Sequence, residues 1–261
     1  MQSMVRPGSQ GEQVGRLVIA VVVVLFLPAL PLGNYIIYPF AILTTWFHEM
    51  GHGLTANIVG QEFVQLEIFS NGSGVAQSLV ENDASRFARA AIAAGGPLAP
   101  IVVGAGMIIA SAHPRAWRSV LVGLAAAIFI SVAVYVRSWT GIIVLPLVGG
   151  LLILIAWLAR EGFIRFSLQF LGVLAAMSML RDFNYLFTEE AEIGGERMLS
   201  DTGQIEASLF LPHWFWAGAI LLVSVVMVGA SLKYALSDER RSRLPRPKRP
   251  ANVLQFKDPK R

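Results

Sequence analysis

Residues 41–60 read AILTTWFHEMGHGLTANIVG, an apolar run long enough to cross a membrane, with two histidines and a glutamate in its middle. A charge at mid-bilayer costs about 2.5–3.5 kcal/mol on insertion scales, and such residues mark functional sites. The spacing suggests what they are for. His48-Glu49-x-x-His52 puts two histidines at i and i+4, one turn apart on one helix face, where both imidazoles can hold a single ion. Glu49 follows the first histidine, so it can reach water at the metal without binding the metal, and can act there as general base for hydrolysis. Two buried histidines satisfied by a glutamate are the competing explanation, and the membrane setting weighs against it. Gly51 and Gly53 permit close approach by another helix or by substrate, at some loss of helix propensity.

Composition sets the class. Of 261 residues, 55% are hydrophobic and 15% charged, whereas soluble domains run to about 25% charged. Between Leu17 and Gln61 the only formal charge is Glu49. The positive balance gathers in the C-terminal tail, KYALSDERRSRLPRPKRPANVLQFKDPKR. A polybasic tail after a hydrophobic helix reads as cytoplasmic rather than as a nucleic-acid arm. The absence of cysteine excludes disulfides, thiolate catalysis and cysteine-ligated metals, so any ion must be held by His, Asp or Glu.

A span needs about 20 apolar residues, and the candidates are roughly 17–36, 39–60, 90–112, 116–136, 140–159, 163–187 and 213–236. Pro28, Pro31 and Gly33 interrupt the first run, which leaves six or seven crossings. Arg115 with Arg118, and Arg160 with Arg165, mark cytoplasmic loops, and the acidic TEEAEIGGER (188–197) falls on the opposite side. The first apolar run continues without a small-residue cleavage site, so no cleaved signal peptide is expected. Residues 61–80, QEFVQLEIFSNGSGVAQSLV, form a strand, a glycine-rich turn and a second strand. Such a hairpin is either an ordinary extramembrane loop or an edge strand able to pair with an extended peptide.

FHEMGHGLTANIVG, the glycine-rich hairpin and then AAGGPLAPIVVG (93–104) together resemble the site-2 protease family of intramembrane zinc metalloproteases. The resemblance covers roughly residues 40–110 well and the remainder loosely. It implies an HExxH helix beside a Gly-Pro helix, here Gly96 and Pro97, with a third, acidic zinc ligand from a later helix. It also implies a membrane-embedded endopeptidase that cuts in or near transmembrane segments. Its partners would be membrane protein or peptide substrates and the lipid bilayer, with no nucleic acid. Two departures stand out: the family's Asn-Pro-rich stretch ending in Asp-Gly is missing, and Pro100 stands where an Asn is common.

The third ligand must therefore come from five aspartates. Asp238 and Asp258 lie in the basic tail, and Asp83 precedes a helix that it is expected to cap. Asp182 ends a long apolar run at the depth expected for His48 and His52, and is the first choice, with a salt bridge to Arg181 or a helix-end charge as its ordinary explanation. Asp201 is the alternative. It is otherwise an N-cap for the next segment, and reaches the metal only if its loop folds back into the bundle. Asn184 and Tyr185 stand beside Asp182, where they can orient it or hold an oxyanion, although helix packing also accounts for them. His113 and His213 are not expected ligands.

Two imidazoles and a carboxylate with an open fourth position form the ligand set of catalytic zinc. The expectation is an all-α polytopic membrane protein of six or seven transmembrane helices with one small β-hairpin after the HExxH helix. Residues 1–16 would be a flexible or cytoplasmic-type N-terminus, 17–236 the metallopeptidase-like membrane domain, and 237–261 a basic cytoplasmic tail. A bacterial-type inner membrane is the expected location. Hydrolysis of peptide bonds is the expected function. The alternatives are a non-proteolytic scaffold that retains the metal site, or an ion or proton transporter.

Overall fold

A computed structural model describes residues 10–237 except Asp182. The expected N-terminal segment falls largely, and the basic tail almost wholly, outside those residues; so does Asp182. The described chain runs α1 (Gln10–Phe26), α2 (Gly33–Ile58), β1 (Glu62–Ile68), β2 (Gly74–Leu79), α3 (Arg86–Ser111), α4 (Trp117–Val134), α5 (Trp139–Leu158), α6 (Glu161–Arg181), α7 (Phe183–Leu186), β3 (Glu190–Ile193), β4 (Glu196–Leu199), α8 (Asp201–Ser208) and α9 (His213–Leu236).

Among the described residues, α1 with its 3-10 extension, α3, α4 with the turn before it, α5 and α9 are long and apolar enough to cross a membrane. α2 and α6 are long enough, but they carry the polar side chains: Thr44, His48, Glu49 and His52 on α2, and Arg165, Ser167 and Gln169 on α6. Both pack against α3, which also meets α8 and α9, so the polar helices are enclosed by apolar ones. The outer faces of α5 and α9 are apolar and exposed, with Leu147, Trp157, Leu222 and Val225 among the most open side chains. Hydrocarbon is the solvent that such faces fit. The protein is an integral membrane protein.

Small residues bring the enclosed helices together. A Cβ on Gly95 would stand 2.7 Å from the Gly51 carbonyl, and one on Gly104 would stand 2.7 Å from the Gly172 carbonyl. The first pair sets the α2–α3 crossing and the second the α3–α6 crossing, and the backbones touch at both. The break expected near Pro28 is present: α1 stops at Phe26, a 3-10 turn spans Leu27–Ala29, and α2 starts at Gly33.

The ends of the bundle differ in charge. Arg16 at the start of α1 donates to the Gly162 carbonyl, Arg165 to the Ser111 carbonyl, and Arg118 to the Ala156 carbonyl. The His113 ring lies 6.0 Å from Tyr234 near the end of α9. One end thus gathers Arg16, Arg115, Arg118, Arg160 and Arg165, while the acidic 189–196 segment lies beyond the outer end of α6.

The first hairpin is built into the protein core. Phe63, Leu66 and Ile68 of β1 are buried in the main core with residues of α2, α4, α5 and α6. The Tyr135–Arg137 segment takes the outer edge of β1: the Leu66 amide donates to the Tyr135 carbonyl, and the Arg137 amide to that of Leu66, at 3.0 Å each. A second hairpin, β3–β4, stands where the sequence suggested only an acidic loop. Its turn is Gly194-Gly195, with φ of +62° and +88°, the conformation a two-residue hairpin turn demands.

Candidate metal centre

His48, Glu49 and His52 project from the middle of α2, and Asp201 comes from the first turn of α8, more than 140 residues later in the chain. His48 Nε2 lies 3.0 Å from Asp201 Oδ2, His52 Nε2 lies 3.2 Å from Asp201 Oδ1, and the two Nε2 atoms are 3.1 Å apart. These three residues form a cluster able to hold a metal ion. Ligands around a tetrahedral ion with bonds of about 2.0–2.1 Å sit roughly 3.3 Å from one another, close to the spacing here.

The protonation pattern agrees. His52 Nδ1 lies 2.8 Å from the Ile92 carbonyl, which can only accept, so Nδ1 carries a hydrogen and Nε2 is the nitrogen left to serve as a ligand. Asp201 is 2% exposed, and its Oδ2 is a buried oxygen with no hydrogen-bond partner among the described residues. Two ring nitrogens and a buried carboxylate therefore converge, an arrangement that a bound cation would satisfy. This donor set fits zinc.

The neighbours hold these groups in place. Gly96 lies flush against the His52 imidazole, and any Cβ there would overlap the ring. Pro97 is buried on α3, and Pro100 lines the cavity beside His48. A Cβ on Gly74 of β2 would come within 2.8 Å of the Glu49 carboxylate, which takes a backbone hydrogen bond from Ala76. Glu49 is buried at the foot of the first hairpin, beside the two histidines but outside the trio of donor atoms.

Asp201 gets there because its loop folds back. Ser200, not Asp201, caps α8, accepting from the Gly203 amide at 3.0 Å. Ser200 donates to the Thr188 carbonyl at 2.5 Å, and Thr202 donates to the Leu186 carbonyl at 2.7 Å. A Cβ on Gly203 would overlap the Glu189 carbonyl, so α8 sits directly on the preceding chain. The expected cap at Asp83 also belongs to a serine, since Ser85 accepts from the Ala88 amide at 3.1 Å. Asn184 is exposed, and its neighbour Tyr185 lines the site instead. His213 pairs with Glu206 at 2.7 Å, away from the cluster.

Two cavities flank the centre. One of about 190 Å³ is lined by Thr44, Thr45, Gly72, Pro100 and Ser178. The other, of about 220 Å³, is lined by Val75, Ala76, Ser78, Met198 and Gln204. His48, Glu49, Gly74, Tyr185 and Ile193 border both. The residues that the sequence reading passed over, Ile193 and Met198, belong to the second hairpin.

The helices thus enclose a histidine pair, a glutamate and a distant aspartate, three of which form a cluster able to hold a metal ion. The family model described as Peptidase M50B-like matches residues 16–231, and the chain belongs to that family, the site-2 protease family of membrane metalloproteases. No curated protein and no solved structure matches the chain.

Proposed function

We propose that this protein is a membrane-embedded zinc endopeptidase that hydrolyses peptide bonds in or near transmembrane segments. The observation that carries the reading is the convergence of His48 Nε2, His52 Nε2 and the Asp201 carboxylate within 3.0–3.2 Å of one another beside buried Glu49. His48, His52 and Asp201 would hold the ion, with Asp201 preferred over Asp182 as third ligand. Zinc in such a site supplies Lewis acidity toward water and a carbonyl. Glu49 takes the proton of the attacking water and delivers it to the departing amine. The His52–Ile92 hydrogen bond keeps the ligand tautomer, and Gly96 keeps the ring in place.

Substrate enters beside β2. One edge of that strand is paired with β1 and the other borders the cavity that holds His48, Glu49 and His52. An extended peptide added to this edge lays its carbonyls along the site. A transmembrane segment would have to unwind locally to do so, which favours substrates with helix-weakening residues. The cationic end of the bundle is the cytoplasmic one by the positive-inside rule, which puts both the start of α1 and the end of α9 on that side.

Metal analysis of the detergent-purified protein tests the reading. Wild type and Glu49→Gln should hold about one zinc per chain, and His48→Ala and Asp201→Ala should lose it. Zinc retained in Asp201→Ala but lost in Asp182→Ala would transfer the ligand role to Asp182. A folded wild type that takes up no zinc would end the peptidase reading.

A further inference from the structure

Tyr185 sits where the two cavities meet. It is one of the five residues that border both, with His48, Glu49, Gly74 and Ile193. Of these, it alone offers a side-chain proton that belongs to neither a candidate ligand nor the candidate base. Its hydroxyl is hydrogen-bonded with the backbone and carboxylate of Asp201 and lies near Glu49, which puts it at the edge of the centre.

Its position is fixed from behind. Leu186, the next residue, is buried in the cluster of α3, α8 and α9 side chains. The Tyr185 carbonyl accepts from Thr188 Oγ1 at 3.0 Å, and the carbonyls of Leu186 and Thr188 accept from Thr202 and Ser200. The turn that carries the phenol is thus latched to the turn that carries Asp201. The ring lines both cavities, and the hydroxyl is held beside Asp201 rather than packed among apolar side chains.

We propose that Tyr185 is a catalytic residue whose phenol donates the hydrogen bond that stabilises the oxyanion of the tetrahedral intermediate. The proposal rests on the peptidase reading above. In the hydrolysis, the water oxygen bonds to the carbonyl carbon, the C–N bond breaks, and Glu49 moves one proton from water to amine. Tyr185 keeps its own proton throughout and acts only as a donor. A phenol suits the task because it stays neutral and protonated at physiological pH, and a donor already in place needs no reorganisation as charge develops.

The test compares wild type, Glu49→Gln and Tyr185→Phe, the last of which keeps the ring and removes only the hydroxyl. Three quantities are measured: zinc content, steady-state cleavage of casein in detergent, and binding of a peptidyl phosphinate and a peptidyl hydroxamate. The expected result for Tyr185→Phe is zinc unchanged, kcat lower by about 100-fold with KM little altered, and phosphinate binding weakened about tenfold or more while hydroxamate binding holds. Wild-type kcat in Tyr185→Phe overturns the proposal and leaves the peptidase reading standing. Loss of zinc in Tyr185→Phe also overturns it, because the hydroxyl would then serve to position Asp201. A zinc-loaded wild type that neither cleaves casein nor binds either inhibitor sinks the peptidase reading, and the Tyr185 role with it.

Discussion

The two hairpins border the same centre and are built in opposite ways. β1–β2 is sunk into the bundle: Phe63, Leu66 and Ile68 are buried, and Phe63 stacks on Tyr135 at 4.1 Å. Its turn is tied to α2, where Thr45 donates to the Gly72 carbonyl at 2.6 Å and Tyr38 to that of Ser70 at 3.1 Å. β3–β4 has no fully buried side chain, is rich in glutamate, and carries an exposed ion pair between Glu190 and Arg197. Exposed pairs of that kind contribute about 0–1 kcal/mol. One wall of the cleft is therefore part of the core and the other is held locally, so local opening should be easier at the second wall.

The largest effect should come from the sunken wall. Leu66→Ala removes a side chain with no exposed surface and should destabilise the protein by about 2–5 kcal/mol. Met198→Ala on the other wall, 37% exposed in the structure, should change stability by less than about 1 kcal/mol. Unfolding in detergent measures both, and equal losses would erase the distinction between the hairpins.

Gly96→Ala probes the backing of the centre. In a helix interior the change normally gains up to about 1 kcal/mol, but here the new methyl meets the His52 ring. The expected outcome is a folded protein whose zinc affinity falls about 10–100-fold, read by titration against a competing chelator. Gly195→Ala strains the β3–β4 turn alone, since its φ is +88° and no atom stands within 4 Å of the added Cβ. That strain is about 1–2 kcal/mol. Amide exchange should quicken in β3–β4 and stay unchanged in β1–β2.

The smallest effect lies at the start of α9. Hydrogen bonds from the His213 amide and ring hold the Glu206 carboxyl below its usual 4.5. A lowered carboxyl stabilises the fold at pH values above its ordinary range, and the contribution is lost as the pH falls through the folded-state value. Glu206→Gln should therefore lower Tm slightly at neutral pH, and the difference from wild type should vanish in acid.

Much of this was legible from local spacing. The histidine pair, the glutamate and Gly96-Pro97 declare themselves because i and i+4 on a helix fix geometry without tertiary information. The long helices were legible because apolar length is itself the physical requirement. Asp201 stayed ambiguous because its approach depends on a fold-back that no periodicity announces: Ser200 and Thr202 latch onto carbonyls 12 and 16 residues upstream. A signal was present in EIGGER, where Gly-Gly between short strands marks a two-residue hairpin turn. The density of glutamate made that stretch read as a loop. The first hairpin was visible with its setting left open, because alternation shows which face of a strand is apolar and not what covers it.

The distance along the chain between His48 and Asp201 also has a meaning in time. A ribosome adding about 5–20 residues per second needs roughly 8–30 seconds to travel from one to the other. Until then the histidines and glutamate sit in the membrane without their aspartate, and the latch that seats it does not exist. A nascent chain that has not reached α8 therefore lacks the third member of the cluster, which forms only after most of the chain has been made.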